Sequence, residues 1–257
     1  MKVLEDVGRG TLGLFDYAGG IAELGADAGA SVATLRVRFG ETVAQAYILG
    51  VQSAPIVLLT SLFIGMVISF ESAQNAVSYG VSSLVGGAVA YTTARELGPM
   101  LTAVVVAGRA GAAMAAEIGS MVVTEQIEAL KALGLSPTRM LVVPRLLALL
   151  FMLPILTILS DIIAITGGGL LAKAQAHIPY DVFLQSVREF ATFEDFMKGL
   201  VKALVFAVTI VLISCYQGLG TRGGAAGVGK ATTGAVVNSI ILIFAFNFIL
   251  SIVLYIK

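Results

Sequence analysis

Apolar positions in this chain run in blocks too long for the one-sided stripes of a soluble helix. Uncharged stretches cover 42–70, 72–94, 203–221 and 231–256, and a bilayer core needs about 17–25 apolar residues to be crossed. The pattern predicts an all-α, polytopic membrane chain with spans near 47–70, 97–118, 146–164, 200–218 and 235–256. Pro55 stands near the entry of the first span and Glu71 at its exit. Residues 72–94 are uncharged but rich in Gly, Ser and Ala, with Gly80, Gly86 and Gly87 among them. If they stay outside as a loop or re-entrant segment the chain has five spans; if they cross, it has six.

Between the spans the period changes. From 123 to 133, Glu125, Glu128 and Lys131 recur at spacing three, with Ile127, Leu130 and Leu133 on a second stripe, which predicts a short amphipathic helix. Gly134 is suited to stop it, and Ser136-Pro137 to cap and start the next. A punctuated helix of this kind suits docking to a soluble partner; an ordinary solvated connector has the same signature. Residues 165–198 read as an external hairpin with one amphipathic helix, since Val182, Phe183, Val187 and Phe190 fall at helical spacing. Residues 1–40 form a separate N-terminal helical region. In it Ala18, Ala22, Ala26 and Ala30 recur every four residues, as expected of a helix lying in the membrane interface or packed on another helix. A cytosolic extension is the alternative.

Composition sharpens this picture. Hydrophobic residues make up 58% of the 257 and charged residues 12%, with mean hydropathy +0.95, too few charges to clothe a soluble core of this size. With 72–94 held outside, Lys2, Arg9, Arg36, Arg38, Arg109, Lys131, Arg139, Arg145, Arg222 and Lys230 lie inside. Arg95, Lys173, Arg188, Lys198, Lys202 and Lys257 lie outside. That excess gives an inside N-terminus and an outside C-terminus. Trp is absent, and Tyr47, Tyr79, Tyr91, Tyr216 and Tyr255 stand near span ends, where interfacial aromatics belong. Net charge is zero, which gives no reason to expect a nucleic-acid partner. Cys215 and His177 are each alone, so no metal site is expected.

Six charges interrupt the apolar run between 95 and 130: Arg95, Glu96, Arg109, Glu117, Glu125 and Glu128. Charge at membrane depth marks a pathway or a partner contact. Along the same span Ala107, Gly111, Ala115 and Gly119 fall four apart, the small-residue ridge that lets membrane helices approach closely. Two nucleotide-like motifs fail on context. The run 224–231 matches a P-loop through Lys230, but Ala231 replaces the magnesium-binding hydroxyl and no strand precedes it. The GxGxxG at 218–223 follows a span rather than a βαβ strand. The chain is therefore expected to be no enzyme and to bind no cofactor; any ATP belongs to another chain.

Several blocks taken together resemble the MlaE/YrbE permease family. These are 63–67 (FIGMV), Arg95-Glu96-Leu97-Gly98-Pro99, Ala107-Gly108-Arg109-Ala110-Gly111, Ala116-Glu117-Ile118-Gly119, Thr124-Glu125-Gln126, Pro144-Arg145, and Ala231-Thr232-Thr233 with Val236-Val237-Asn238-Ser239. The likeness covers about 41–257, the permease domain, and the block 95–145 is the specific part. It implies the transmembrane subunit of an ABC transporter moving phospholipid between the two membranes of a double-membraned envelope and so maintaining lipid asymmetry. Two permease copies would pair with two cytoplasmic ATPases, which hold ATP and Mg. A ring of MCE-domain subunits would sit on the far side, and a STAS-domain protein often joins the ATPase. The setting is the inner membrane, or alternatively a plastid inner envelope.

On this reading Glu71, Tyr79, Arg95 and Glu96 are the candidate substrate contacts near the outer mouth. The helix 123–133 would be the coupling helix, with Glu117, Thr124, Glu125, Gln126, Glu128 and Lys131 serving ATPase coupling. The residues alone leave open an ion-coupled secondary transporter, which should show an internal repeat, and a non-transporting scaffold.

Overall fold

The computed structural model describes residues 2–33 and 38–255, and the side chains of all of these except 2–11, 14 and 77. Arg36, Lys257 and the side chains of Lys2, Glu5, Asp6 and Arg9 therefore lie outside the described residues. Among those described every regular element is helical: α1 (Lys2–Ala33), α2 (Phe39–Gln45), α3 (Ala54–Ser78), α4 (Val85–Thr92), α5 (Gly98–Val106), α6 (Ala112–Val123), α7 (Gln126–Ala132), α8 (Val143–Ala176), α9 (Tyr180–Phe190), α10 (Phe193–Leu219) and α11 (Gly224–Tyr255). They merge into five helices long and apolar enough to cross a membrane: Phe39–Ala76, Ser82–Val123, Thr138–Ala176, Phe193–Leu219 and Gly224–Tyr255. Residues 72–94 make no sixth span. Their first part prolongs α3, and the rest, after a tight turn at Gly80 (φ +70°), begins the second long helix.

Two of the irregularities in these helices fall just before a proline. Pro55 cannot donate to the Val51 carbonyl, and a 3₁₀ turn over Val51–Ser53 lets the Ala54 N–H bond that carbonyl instead. A π turn over Thr93–Leu97 precedes Pro99, and others occupy Ala46–Gly50, Ala107–Gly111 and Thr138–Val142. Each leaves backbone or side chains free at membrane depth, where only neighbouring helices can satisfy them.

Small residues set the packing. A Cβ on Gly65 would collide with the Ala164 carbonyl, so α3 and α8 lie backbone to backbone, and Ser69 Oγ donates to the Gly168 carbonyl (2.7 Å) across the same seam. Ala107, Gly111, Ala115 and Gly119 are all buried, with Gly111 facing Ser214 of α10 and Gly119 facing Thr221 and Val228. That ridge thus makes a contact within one chain. In α1 the outcome differs from the sequence pattern: Ala18, Ala22, Ala26 and Ala30 are exposed, while Leu24 and Ala28 on another face enter the core. The face that docks mixes large and small residues, Tyr17 and Leu24 with Gly20 and Ala28. Gly20 presses on the Tyr216 ring, and Tyr17 Oη accepts from Gln217 Nε2 (3.1 Å) and Asn238 Nδ2 (3.0 Å).

The outward faces of α3, α8 and α11 carry exposed Phe63, Val67, Phe151, Phe244, Phe248 and Val253, as lipid contact requires. The bundle has two ends. At one, α9 packs on α4 through Phe183 and a bond from Gly87 N to Ser186 Oγ (2.9 Å). At the other stands α7.

Candidate functional site

The site starts from one missing hydrogen. Pro99 has no N–H for the Arg95 carbonyl, and that oxygen instead accepts Lys202 Nζ (2.9 Å) from α10 and Tyr255 Oη (3.5 Å) from α11. Lys202 is 0% exposed and lies nine residues, about 13 Å, inside α10 from its start. Its ammonium also meets Glu96 Oε2 (2.9 Å) and Ser251 Oγ (2.8 Å), so all three donors are placed. Glu96 accepts further from Asn247 Nδ2 (2.8 Å) and Ser251 Oγ (2.9 Å).

Arg95 points another way. Its guanidinium lies over the rings of Tyr255 (3.5 Å) and Tyr91 (4.4 Å), a cation–π arrangement, and its Nε is 3.7 Å from Asp195 Oδ1. Asp195 is held in turn by the capping box of α10, where its Oδ2 accepts from Thr192 Oγ1 (2.6 Å). Lys198 completes the group by pairing with Glu194 (2.6 Å).

The result is a compensated set of three cations and three acids on the second and fourth long helices, with Asn247, Ser251 and Tyr255 of the fifth as uncharged partners, at the α9 end. Glu96 is its most open inward member, with 34% of its side chain exposed. Such a set can exchange partners: a phosphate for Arg95, an ammonium for Glu96, each at the expense of an internal bond. Arg95 and Glu96 do not pair with each other, and they stand within the second long helix rather than at its start, because the helix begins at Ser82. Lys202, read from the sequence as an outer-side charge, is buried. Its position inside an apolar helix was a legible signal, as was Asn247 in the last span; the pairing with residue 96 was not. Glu71 is exposed and Tyr79 is 80% exposed, and among the described residues neither bonds to this cluster or stacks on it.

At the opposite end Arg145, buried on α8, pairs with Glu117 of α6 (2.7 Å) and donates to the Leu141 carbonyl (2.7 Å). The two line a cavity of about 200 Å³ together with Arg38, Glu41, Gln45 and Leu130 of α7. Glu117 is thus paired within the chain while 55% of its side chain stays exposed. Arg109 is no free inner-side charge either: it bonds the Ile48 carbonyl (3.0 Å), Ser53 Oγ (3.0 Å) and Gln52 Oε1 (2.9 Å), tying the π turn over Ala107–Gly111 to the break before Pro55.

The turn before α7 is sharp, with Glu125 at φ +60°, and Thr124 Oγ1 accepts from Gln126 Nε2 (3.0 Å). Only Ile127 of α7 is buried. Glu125, Gln126, Glu128, Lys131 and Leu133 are open to a partner. Lys131 also lines a groove of about 540 Å³ with Glu23 and Asp27 of α1.

Residues 42–253 match the family model described as Permease MlaE. The chain belongs to the MlaE permease family. It is similar to a probable ABC transporter permease protein of Synechocystis sp. (45% identical over 84% of this chain and 82% of that one). It also resembles a probable ABC transporter permease protein of Rickettsia bellii (35%, 98% and 97%). A third relative is the Arabidopsis thaliana protein called TRIGALACTOSYLDIACYLGLYCEROL 1, chloroplastic (37%, 84% and 62%). As an MlaE-family protein the chain is a multi-pass transporter permease, and the blocks 95–99, 107–111 and 116–119 that suggested the family build the charged cluster, the Arg109 tie and the Glu117–Arg145 pair.

Proposed function

We propose that this chain is the membrane subunit through which an ABC transporter moves phospholipid between the inner and outer membranes of a double-membraned envelope. The observation that carries the reading is the compensated Arg95–Glu96–Lys202–Asp195 cluster, opening through Glu96 toward the α9 end. A zwitterionic head group offers both a phosphate for Arg95, which can bond it through a planar fork, and an amine for Glu96. The name of the Arabidopsis relative is that of a glycolipid, which supports a lipid substrate in general.

In this reading the α7 end is cytoplasmic and receives an ATPase that supplies ATP and Mg. The α9 end faces an MCE-domain ring, a STAS-domain protein joins the ATPase, and two copies of the chain enclose the lipid path. The apolar faces of α3 and α11 would line that path or meet lipid.

The test is ATP-driven transfer of head-group-labelled phospholipid between vesicles by the complex reconstituted with its ATPase. Arg95→Ala and Glu96→Ala should each lower transfer while the complex still assembles with two permease copies by native mass spectrometry. Normal transfer by either variant removes that residue from the substrate path, and one permease copy per complex removes the dimer.

A further inference from the structure

At the α7 end the first long helix begins with two stripes. Phe39, Val43 and Tyr47, spaced four apart, are exposed, an apolar and aromatic edge that belongs at the level of the lipid head groups. Arg38, Glu41 and Gln45 line the cavity of about 200 Å³ that they share with Glu117 and Arg145. Two groups in that lining are buried and unbonded, one of each kind: Arg145 Nε, a donor, and Gln45 Oε1, an acceptor. Leaving such a group without a partner costs about 1–3 kcal/mol. The formal charges around them balance, two guanidinium groups against two carboxylates. Arg38 and Glu41 meet at 3.5 Å with half of each side chain exposed, a pair that opens at little cost. Met121, Leu130 and Met140 supply apolar wall.

We propose that this cavity binds the head group of a phospholipid carrying a primary amine, of the ethanolamine class, from the membrane leaflet on the α7 side. The unmet donor and the guanidinium groups fit the phosphate, which only accepts. The unmet amide oxygen and the carboxylates fit an ammonium with N–H bonds to give. A choline head group has no N–H to donate, and an anionic one has nothing to offer Glu41 and Glu117. The cavity, at about 200 Å³, is below the roughly 300–1,000 Å³ of pockets that enclose a whole drug-sized ligand, which leaves the acyl chains in the bilayer beside α2. Glu117, with 55% of its side chain exposed, can turn from Arg145 toward the amine. The site stands at the opposite end of the bundle from Arg95 and Glu96, and its occupancy is independent of which lipid is transported.

The test is photolabelling of the assembled complex in phosphatidylcholine nanodiscs doped with phosphatidylethanolamine that carries a diazirine at the start of one acyl chain. The label should map to the segments holding Met121 and Met140. Excess unlabelled phosphatidylethanolamine should remove it, while diacylglycerol and inorganic phosphate should not. Gln45→Leu, close in volume and lacking the acceptor, and Arg38→Gln, at an exposed position, should each lower the labelling by about fivefold or more, the loss of one hydrogen bond, with the thermal stability of the complex retained. Arg38→Gln decides alone if Gln45→Leu fails to assemble. No label on either segment overturns the site, since a partner side chain or water then fills it. So does competition by diacylglycerol, or by inorganic phosphate, which would make the ligand a soluble anion, and so does unchanged labelling in either variant that assembles. Lipid transfer is not the readout, so failure here leaves the transport reading standing.

Discussion

Replacing Lys202 by Met keeps the volume and removes the charge from a side chain with no exposed surface. Breaking a buried ion pair by deleting one partner costs about 3–5 kcal/mol. Here Glu96 keeps Asn247 and Ser251 as donors and a third of its side chain stays open, which brings the electrostatic loss to the lower part of that range. The Arg95 carbonyl loses its shortest donor as well, an unsatisfied acceptor worth about 1–3 kcal/mol. We expect Lys202→Met to cost about 4 kcal/mol, near a thousandfold in the folding equilibrium.

Glu96→Gln should cost more than Lys202→Met, because it strands a wholly buried ammonium. The double variant should cost well below the sum of the two, with a coupling of at least about 2 kcal/mol. The measurement is the unfolding equilibrium of each variant in mixed micelles titrated with a denaturing detergent. A Lys202→Met cost below about 1 kcal/mol, or singles that add to within about 0.5 kcal/mol, would refute the claim that this pair carries the cluster.

Reversing Glu125 and Glu128 to Lys together should weaken ATPase docking in pull-down and leave thermal stability within about 0.5 kcal/mol, because both are exposed on α7. Gly65→Ala should prevent folding or assembly, since its new methyl meets Ala164 backbone, while Gly29→Ala, with open space around it, should stabilise α1 by up to about 1 kcal/mol; helicity and detergent stability of the two report the contrast. Tyr17→Phe keeps the ring on Tyr216 but orphans the amides of Gln217 and Asn238, at a cost of about 1–3 kcal/mol, and should speed limited proteolysis within α1.

The sequence by itself determined the class of structure: apolar blocks of bilayer length, five or six of them, a short punctuated helix within 123–133 and an amphipathic one within 165–198, because hydrophobic length and period are local properties. It also marked Arg95, Glu96, Glu117 and Arg109 as charges that need a reason. Only the tertiary structure decided the reasons. That Lys202 fills the carbonyl freed by Pro99, that Arg145 meets Glu117, and that Asp161 lies against Gly98 all depend on which helix faces which. The exposure of the alanine ridge of α1 follows the same rule, because a helix docks by the face that finds a complementary neighbour. A span can advertise that it carries charge, but its partner lies across a bundle whose packing is set by close contacts at Gly65, Gly98 and Gly111, and no spacing along the chain encodes those.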